Sequence, residues 1–174
     1  MASTWSILCR IAHHHWHRVR SAIQGAIPTS LQERLEQQVA ASEQRHSGQI
    51  RICVESALPM SYLWRQASAR ERAITLFGKL RVWDTEHNNG VLIYLLLADH
   101  AIEVVADRGI SQRIPKAHWD AMVKHLGGAL AAGQWEQGLF QALEEVSTLM
   151  AAEWPAQPLS ARSNELPDRP WVGS

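Results

Sequence analysis

The chain has 174 residues, equal numbers of acidic and basic side chains, and two cysteines. That length suits one domain with short extensions, and the neutral balance gives no electrostatic reason to expect nucleic acid as a partner. The cysteines have neither CxxC nor zinc-finger spacing, which leaves a disulfide framework and a zinc finger without support, and no run approaches the roughly 20 apolar residues of a membrane-spanning helix.

Charge is unevenly placed along the chain. No Asp or Glu precedes Glu33, whereas Arg10, Arg18 and Arg20 lie there with His13, His14, His15 and His17. Residues 1–27 therefore read as a basic arm. Within it Trp5, Leu8, Ala12, Trp16, Val19 and Ile23 recur every three or four residues, which predicts an amphipathic helix over 4–23. A basic helix with tryptophans on its apolar side suits a membrane surface or a membrane-protein partner; packing on its own domain or on a second copy is the plainer alternative. His13 and His17 have the spacing of a shared metal, which a run of histidines also produces by itself. The apolar run Ile7-Leu8-Cys9 is broken by Arg10 and is too short for a secretory signal. The domain is thus expected in the cytoplasm, or peripheral at the inner face of the membrane.

Gly25 to Pro28 is a break. Ser30-Leu31-Gln32-Glu33 reads as a capping box opening a helix with Leu31, Leu35 and Val39 on its apolar side, and Gly48 stops it. Gln49 to Glu55 alternates, Ile50, Ile52 and Val54 against Arg51, Cys53 and Glu55, and predicts the first strand. Leu58-Pro59 ends it. One long helix is predicted from about Ser61 to Leu80, with Leu63, Ala67, Ile74 and Phe77 buried and Arg70-Glu71-Arg72 in solvent. Asn89-Gly90 reads as a turn of positive φ. Val91 to Leu97 is apolar on both faces, so this strand is covered on both sides. Ala98-Asp99-His100 reverses it into an antiparallel strand, Ala101 to Ala106. Pro115 opens a further helix, Gly133 interrupts, and a last helix begins near Gln134. Residues 155–174 are proline-rich and read as a disordered tail. The pattern predicts an α/β fold: a small mixed sheet of roughly three to four strands, a parallel pair plus an antiparallel hairpin, sandwiched by about four helices over residues 28–154.

The strand directions make one sharper inference possible. A strand–helix–strand crossover makes the first two strands parallel, and the hairpin reverses the third. The starts of the first and second strands and the end of the third then share one rim. There His46, Ser47 and Gln49 meet the loop Asp84 to Asn89, and Asp107 with Arg108. Asp84, Glu86 and Asp107 supply carboxylates, and Asn88 and Asn89 amide oxygens, which suit Ca2+ or Mg2+ better than zinc. The plainer reading is that these Asx residues cap turns. The sequence carries no phosphate-binding cysteine loop, DxD or P-loop, so hydrolysis would need metal-activated water.

The segments HSGQIRICVE, TEHNNGVLIYLLL and VVADRGI, followed by a Trp-containing helix, resemble the TPM domain in content and spacing over about residues 30–154. The resemblance implies a small mixed sheet flanked by helices. It further implies either an accessory role at membrane complexes, calcium binding, or acid phosphatase activity. Gln49 departs from the family pattern, which often carries Glu after the Gly. Two functions follow as expectations. One is an accessory module that binds a divalent cation at the rim and a membrane or protein partner through the arm. The other is a metal-dependent phosphatase acting on phosphomonoesters, with His46 or His87 as acid or base and Arg108 on phosphate. Absence of a marked nucleophile favours the first.

Overall fold

The computed structural model describes residues 4–24, 27–156 and 164–173, with side-chain surroundings in the first helix given for 6–20. Its elements run α1 (Thr4–Gln24), α2 (Thr29–Ser42), β1 (Gln49–Glu55), α3 (Met60–Trp64), α4 (Ala69–Lys79), β2 (Gly90–Leu96), β3 (Ala101–Ala106), α5 (Arg108–Arg113), α6 (Lys116–Ala131), α7 (Trp135–Glu153) and β4 (Trp171–Gly173). The strands form one sheet in the order β3-β2-β1-β4. β1 is parallel to β2 and to β4, and β2 is antiparallel to β3. The mixed α/β sheet inferred from the crossover and the hairpin is therefore present.

Alternation along β1 sorts its side chains between two cores, because successive residues of a strand point to opposite faces. Ile50, Ile52 and Val54 join Val91, Ile93 and Leu95 of β2 beneath α2, α6 and α7. Cys53 joins Leu92, Tyr94 and Leu96 beneath α3 and α4. Every residue of β1 and β2 is buried, as the unbroken apolar run of β2 predicts for a sheet covered on both sides.

Several local readings need correction. The helix after Gly25–Pro28 starts at Thr29 with Pro28 as its N-cap and no side-chain cap, so Ser30 is inside the helix and forms no capping box. Proline suits a helix entrance because no amide is lost there. The capping box lies instead at Ser68 and Glu71. It exists because the helix predicted over 61–80 is two helices, broken where Gln66 takes a positive φ. The break rotates the second helix. Ile74 is consequently 52% exposed, and Arg72, expected in solvent, is buried against the sheet.

The proline-rich tail is not disordered over 164–173. This stretch lies along the outer edge of β1 and adds β4 to the sheet. Two side chains of β1 hold it. Gln49 Oε1 accepts hydrogen bonds from the amides of Glu165 and Leu166, both at 3.0 Å. Arg51 donates to the carbonyls of Pro167 and Arg169. At the opposite side of the sheet β3 is an edge strand. Arg70 donates to the carbonyl of Val104 and Ser111 Oγ to that of Ala106, alternate residues on its outer side.

α1 packs on the domain with the face that sequence periodicity gives to solvent. Arg10 bonds Asp99 at 2.9 Å and the carbonyl of Ala67, and Arg18 donates to the carbonyl of Leu58. His13 bonds the carbonyl of Ala98. His14 is fully buried. The Leu58 amide donates to its Nδ1, so its Nε2 carries the proton and donates to Asp99. Burial holds the His14 pKa below the ordinary histidine value, against the pull of Asp99. The stripe of Leu8, Ala12, Trp16 and Val19 faces outward; Trp5 and Ile23 lie outside the described side chains.

Candidate functional site

The rim inferred from strand direction is assembled by main-chain hydrogen bonds. The Gln49 amide donates to the carbonyl of Asn89, the Asp107 amide to that of Gly90, and the Gly109 amide to that of Asn88. These bonds tie together the entries of β1 and β2 and the exit of β3. The loop Asp84–Asn89 is held internally by the Asn88 amide on the Thr85 carbonyl and the Asn89 amide on Thr85 Oγ1. Asn88 takes φ of 51°, an αL conformation that Asn tolerates better than most side chains. Positive φ therefore belongs to Asn88 and not to Asn89-Gly90. Gly90 has another reason to lack a side chain: a Cβ there would lie 1.9 Å from the carbonyl oxygen of Val82.

The predicted ligands occupy this rim in different ways. Asp107 caps α5, its Oδ1 accepting from the Arg108 amide at 2.6 Å. Its Oδ2 is buried and accepts no hydrogen bond. Two residues further on, the carbonyls of His87 and Asn88 converge on Gly109, where a Cβ would stand 2.9 and 2.6 Å from them. Asn89 is buried, with its side-chain Nδ2 donating to Ser47 Oγ at 3.5 Å. Glu86 is exposed, and its amide points at the Glu165 carboxylate of the tail. Asp84 is turned toward Arg81, 3.9 Å away at the surface. Among the described residues no three His, Cys, Asp or Glu side chains are grouped as a metal would require. An ion at this rim would need main-chain and amide oxygens beside Asp107, a donor set that suits calcium and also serves magnesium. His13 and His17, with ring centroids 4.7 Å apart, form no such group either.

The candidate catalytic residues are not equally placed. His87 and Arg108 are exposed at the rim. His46 is 2% exposed, Nδ1 donating to the Gly48 carbonyl at 3.0 Å and Nε2 buried without a partner. Burial pushes its pKa down to about 4. A neutral imidazole under the loops has no contact with a solution phosphoester, so its geometry suits support of the Gly48 turn.

One group that sequence patterning passed over lies beside β1. Glu43 closes α2 and accepts from the Ile50 amide at 3.3 Å. Burial first, then the charges of Asp168 and Glu165, raise its pKa to about 8. Only the tail's return brings those two acids near, so no local pattern signals it. An elevated folded-state pKa stabilises the fold below the unfolded value near 4.5, and that contribution is lost as pH rises toward about 8. Glu43→Gln, which mimics the protonated form, is therefore expected to raise stability by up to about 3 kcal/mol at neutral pH and to change little at pH 4. Urea unfolding of both proteins across this range is the check; equal stabilities at neutral pH would mean that Glu43 ionises normally. His46 has the opposite sign: its depressed pKa withdraws stability as pH falls from 6.5 toward about 4.

Comparison with known proteins agrees with this architecture. No curated protein matches the chain. Among solved structures, BA42 from the psychrophilic bacterium Bizionia argentinensis is similar, with a TM-score of 0.72 and 23% identity over 84% of this chain and 95% of that one. The N-terminal domain of a protein from P. gingivalis is also similar, with a TM-score of 0.60 and 14% identity over 77% of this chain and 83% of that one. At these identities the likeness is one of fold. The TPM domain family model matches residues 23–149, most of the chain and all of the rim, and the chain belongs to the TPM domain family.

Proposed function

We propose that this TPM domain is a binding module that takes a divalent cation at the rim and uses α1 as an association surface. The observation that carries the cation reading is the Oδ2 atom of Asp107, buried and without a hydrogen bond, two residues before the Gly109 on which the carbonyls of His87 and Asn88 converge. A buried carboxylate oxygen without a partner is costly, and a hard cation would offset that cost with the oxygen ligands already there. Asp107 would be the anionic ligand, with carbonyls of the 84–89 loop completing the set and Asn88, Asn89, Glu86 and Asp84 within the same loop.

Saturating Ca2+ or Mg2+ is expected to raise the melting temperature. At one hundred times Kd the gain is about 2.7 kcal/mol, on the order of 5–10 °C for a chain of this size. Trp83, half exposed at the start of the loop, should report the titration by fluorescence. Asp107→Asn should remove the response while the protein stays folded. Flat melting curves with both ions would sink the cation reading. The same proteins assayed on a generic phosphomonoester separate binding from hydrolysis: turnover that depends on Asp107 would favour a phosphatase over a binding module.

A further inference from the structure

α1 is attached by the wrong face for a helix whose purpose is to complete a core. At about 100° per residue, Arg10, His13, His14, His17 and Arg18 occupy the side against the domain, and Leu8, Ala12, Trp16 and Val19 the opposite one. Five hydrogen bonds and an ion pair on the polar side fix that orientation. Trp16 is left 66% exposed, Leu8 49% and Val19 44%.

The polar side of α1 lies over α3 and its flanks. Arg18 holds Leu58 and Arg10 holds Ala67, so α1 runs antiparallel over the segment between them. That segment presents Trp64, 64% exposed, and Met60, 43% exposed. Five of the eight exposed large apolar side chains among the described residues thus sit on two adjoining helices. Clustering of this kind marks an interaction surface. The charged residues of α1 are all arginines, Arg10, Arg18 and Arg20. The first acid in the sequence is Glu33, Asp99 is matched by Arg10 and His14, and Glu71 by Arg65. Arg20 and His15 flank the stripe in solvent.

We infer that α1 and α3 seat the protein on an anionic lipid bilayer, with Trp16 and Trp64 in the interface and the basic flank against headgroups. This rests on the reading of α1 as an association surface and names its partner. Indole rings suit the headgroup boundary, where one end is apolar and the other wet. No helix of the described residues is long and apolar enough to cross a membrane, so the contact is peripheral.

The experiment is co-sedimentation of the full chain with vesicles of phosphatidylcholine alone, or with one lipid in three replaced by phosphatidylglycerol. Binding should require the anionic lipid, shift tryptophan emission to the blue, and weaken between about 0.1 and about 0.5 M salt as charge is screened. The double variant Trp16→Gln, Trp64→Gln should lose at least about tenfold in partitioning, equivalent to about 1.4 kcal/mol, with an unchanged melting temperature. Leu8→Ser with Val19→Ser provides the same readout if the tryptophan variant does not fold. No binding to anionic vesicles, or equal binding to neutral ones, overturns the inference. If vesicles fail but the full chain dimerises in light scattering and the double variant is monomeric, the occupant is a second copy. In that case the association surface stands and the lipid assignment falls. Failure of both removes the association surface as well.

Discussion

Arg72→Met is expected to lower the unfolding free energy by about 3–5 kcal/mol, a large part of the roughly 5–15 kcal/mol that holds a domain together. Arg72 clasps Glu55 with two hydrogen bonds, Nε at 2.9 Å and Nη2 at 2.6 Å. Tyr94 donates to the same carboxylate at 2.7 Å. Glu55 is 2% exposed and Tyr94 fully buried. The carboxylate holds the Arg72 pKa above its ordinary value, so the arginine is charged at any accessible pH. Removing the arginine leaves the carboxylate buried with only a phenol, which is far more costly than the pair itself is favourable. The pair should therefore show strong coupling. Arg72→Met with Glu55→Gln should recover at least half of the loss, as read by urea denaturation of the four proteins of the cycle. A loss under about 1 kcal/mol for the single variant would mean that Glu55 reaches water without its partner.

Gly90→Ala should be comparably damaging, about 3 kcal/mol or more, although it adds one methyl group. The new Cβ would fall 1.9 Å from the Val82 carbonyl oxygen, and backbone cannot move aside as a side chain can. Either β2 shifts from its register with Gln49 or the 82–89 segment moves off the sheet. Both disturb the bond from the Asp107 amide to the Gly90 carbonyl, so the response to calcium expected of the proposed rim site should weaken with stability. Circular dichroism melting and a calcium titration of the variant are the measurements. Wild-type stability with intact loops would show that the segment has room to yield.

The sheet was readable because strand patterns are local. Alternation in Gln49 to Glu55, the unbroken apolar run of β2 and a short polar reversal fixed three strands and their directions, and direction alone brought the rim together. Readings failed where the answer depends on a distant partner. Arg72 looks solvated beside Arg70 and Glu71, and nothing local announces that Glu55 of β1 awaits it. Gln49 looks like a lost carboxylate at the rim, whereas its amide oxygen receives two main-chain amides from a segment more than a hundred residues away. β4 has only three residues and no periodicity to detect. In α1 the periodicity was sound, but periodicity identifies two faces without saying which one meets the domain; five hydrogen bonds on the histidine side decide it. At the rim, residue types identified Asp107 as a candidate. The orientation of its second oxygen, and the carbonyls that converge on Gly109, depend on loop geometry that composition does not carry.

The guarded sides of the sheet bear on how the protein behaves when crowded. A bare strand at a sheet border is a template for pairing with another chain, and proteins that leave one open risk polymerising. Here the outer carbonyls of Val104 and Ala106 are already taken by Arg70 and Ser111, and the far border ends in a strand of three residues. Neither border offers a long ladder to a neighbour. Edge-to-edge pairing, the aggregation route most open to a small β-sheet, is thus hindered at both borders, and any self-association would have to use the tryptophan-bearing surface instead.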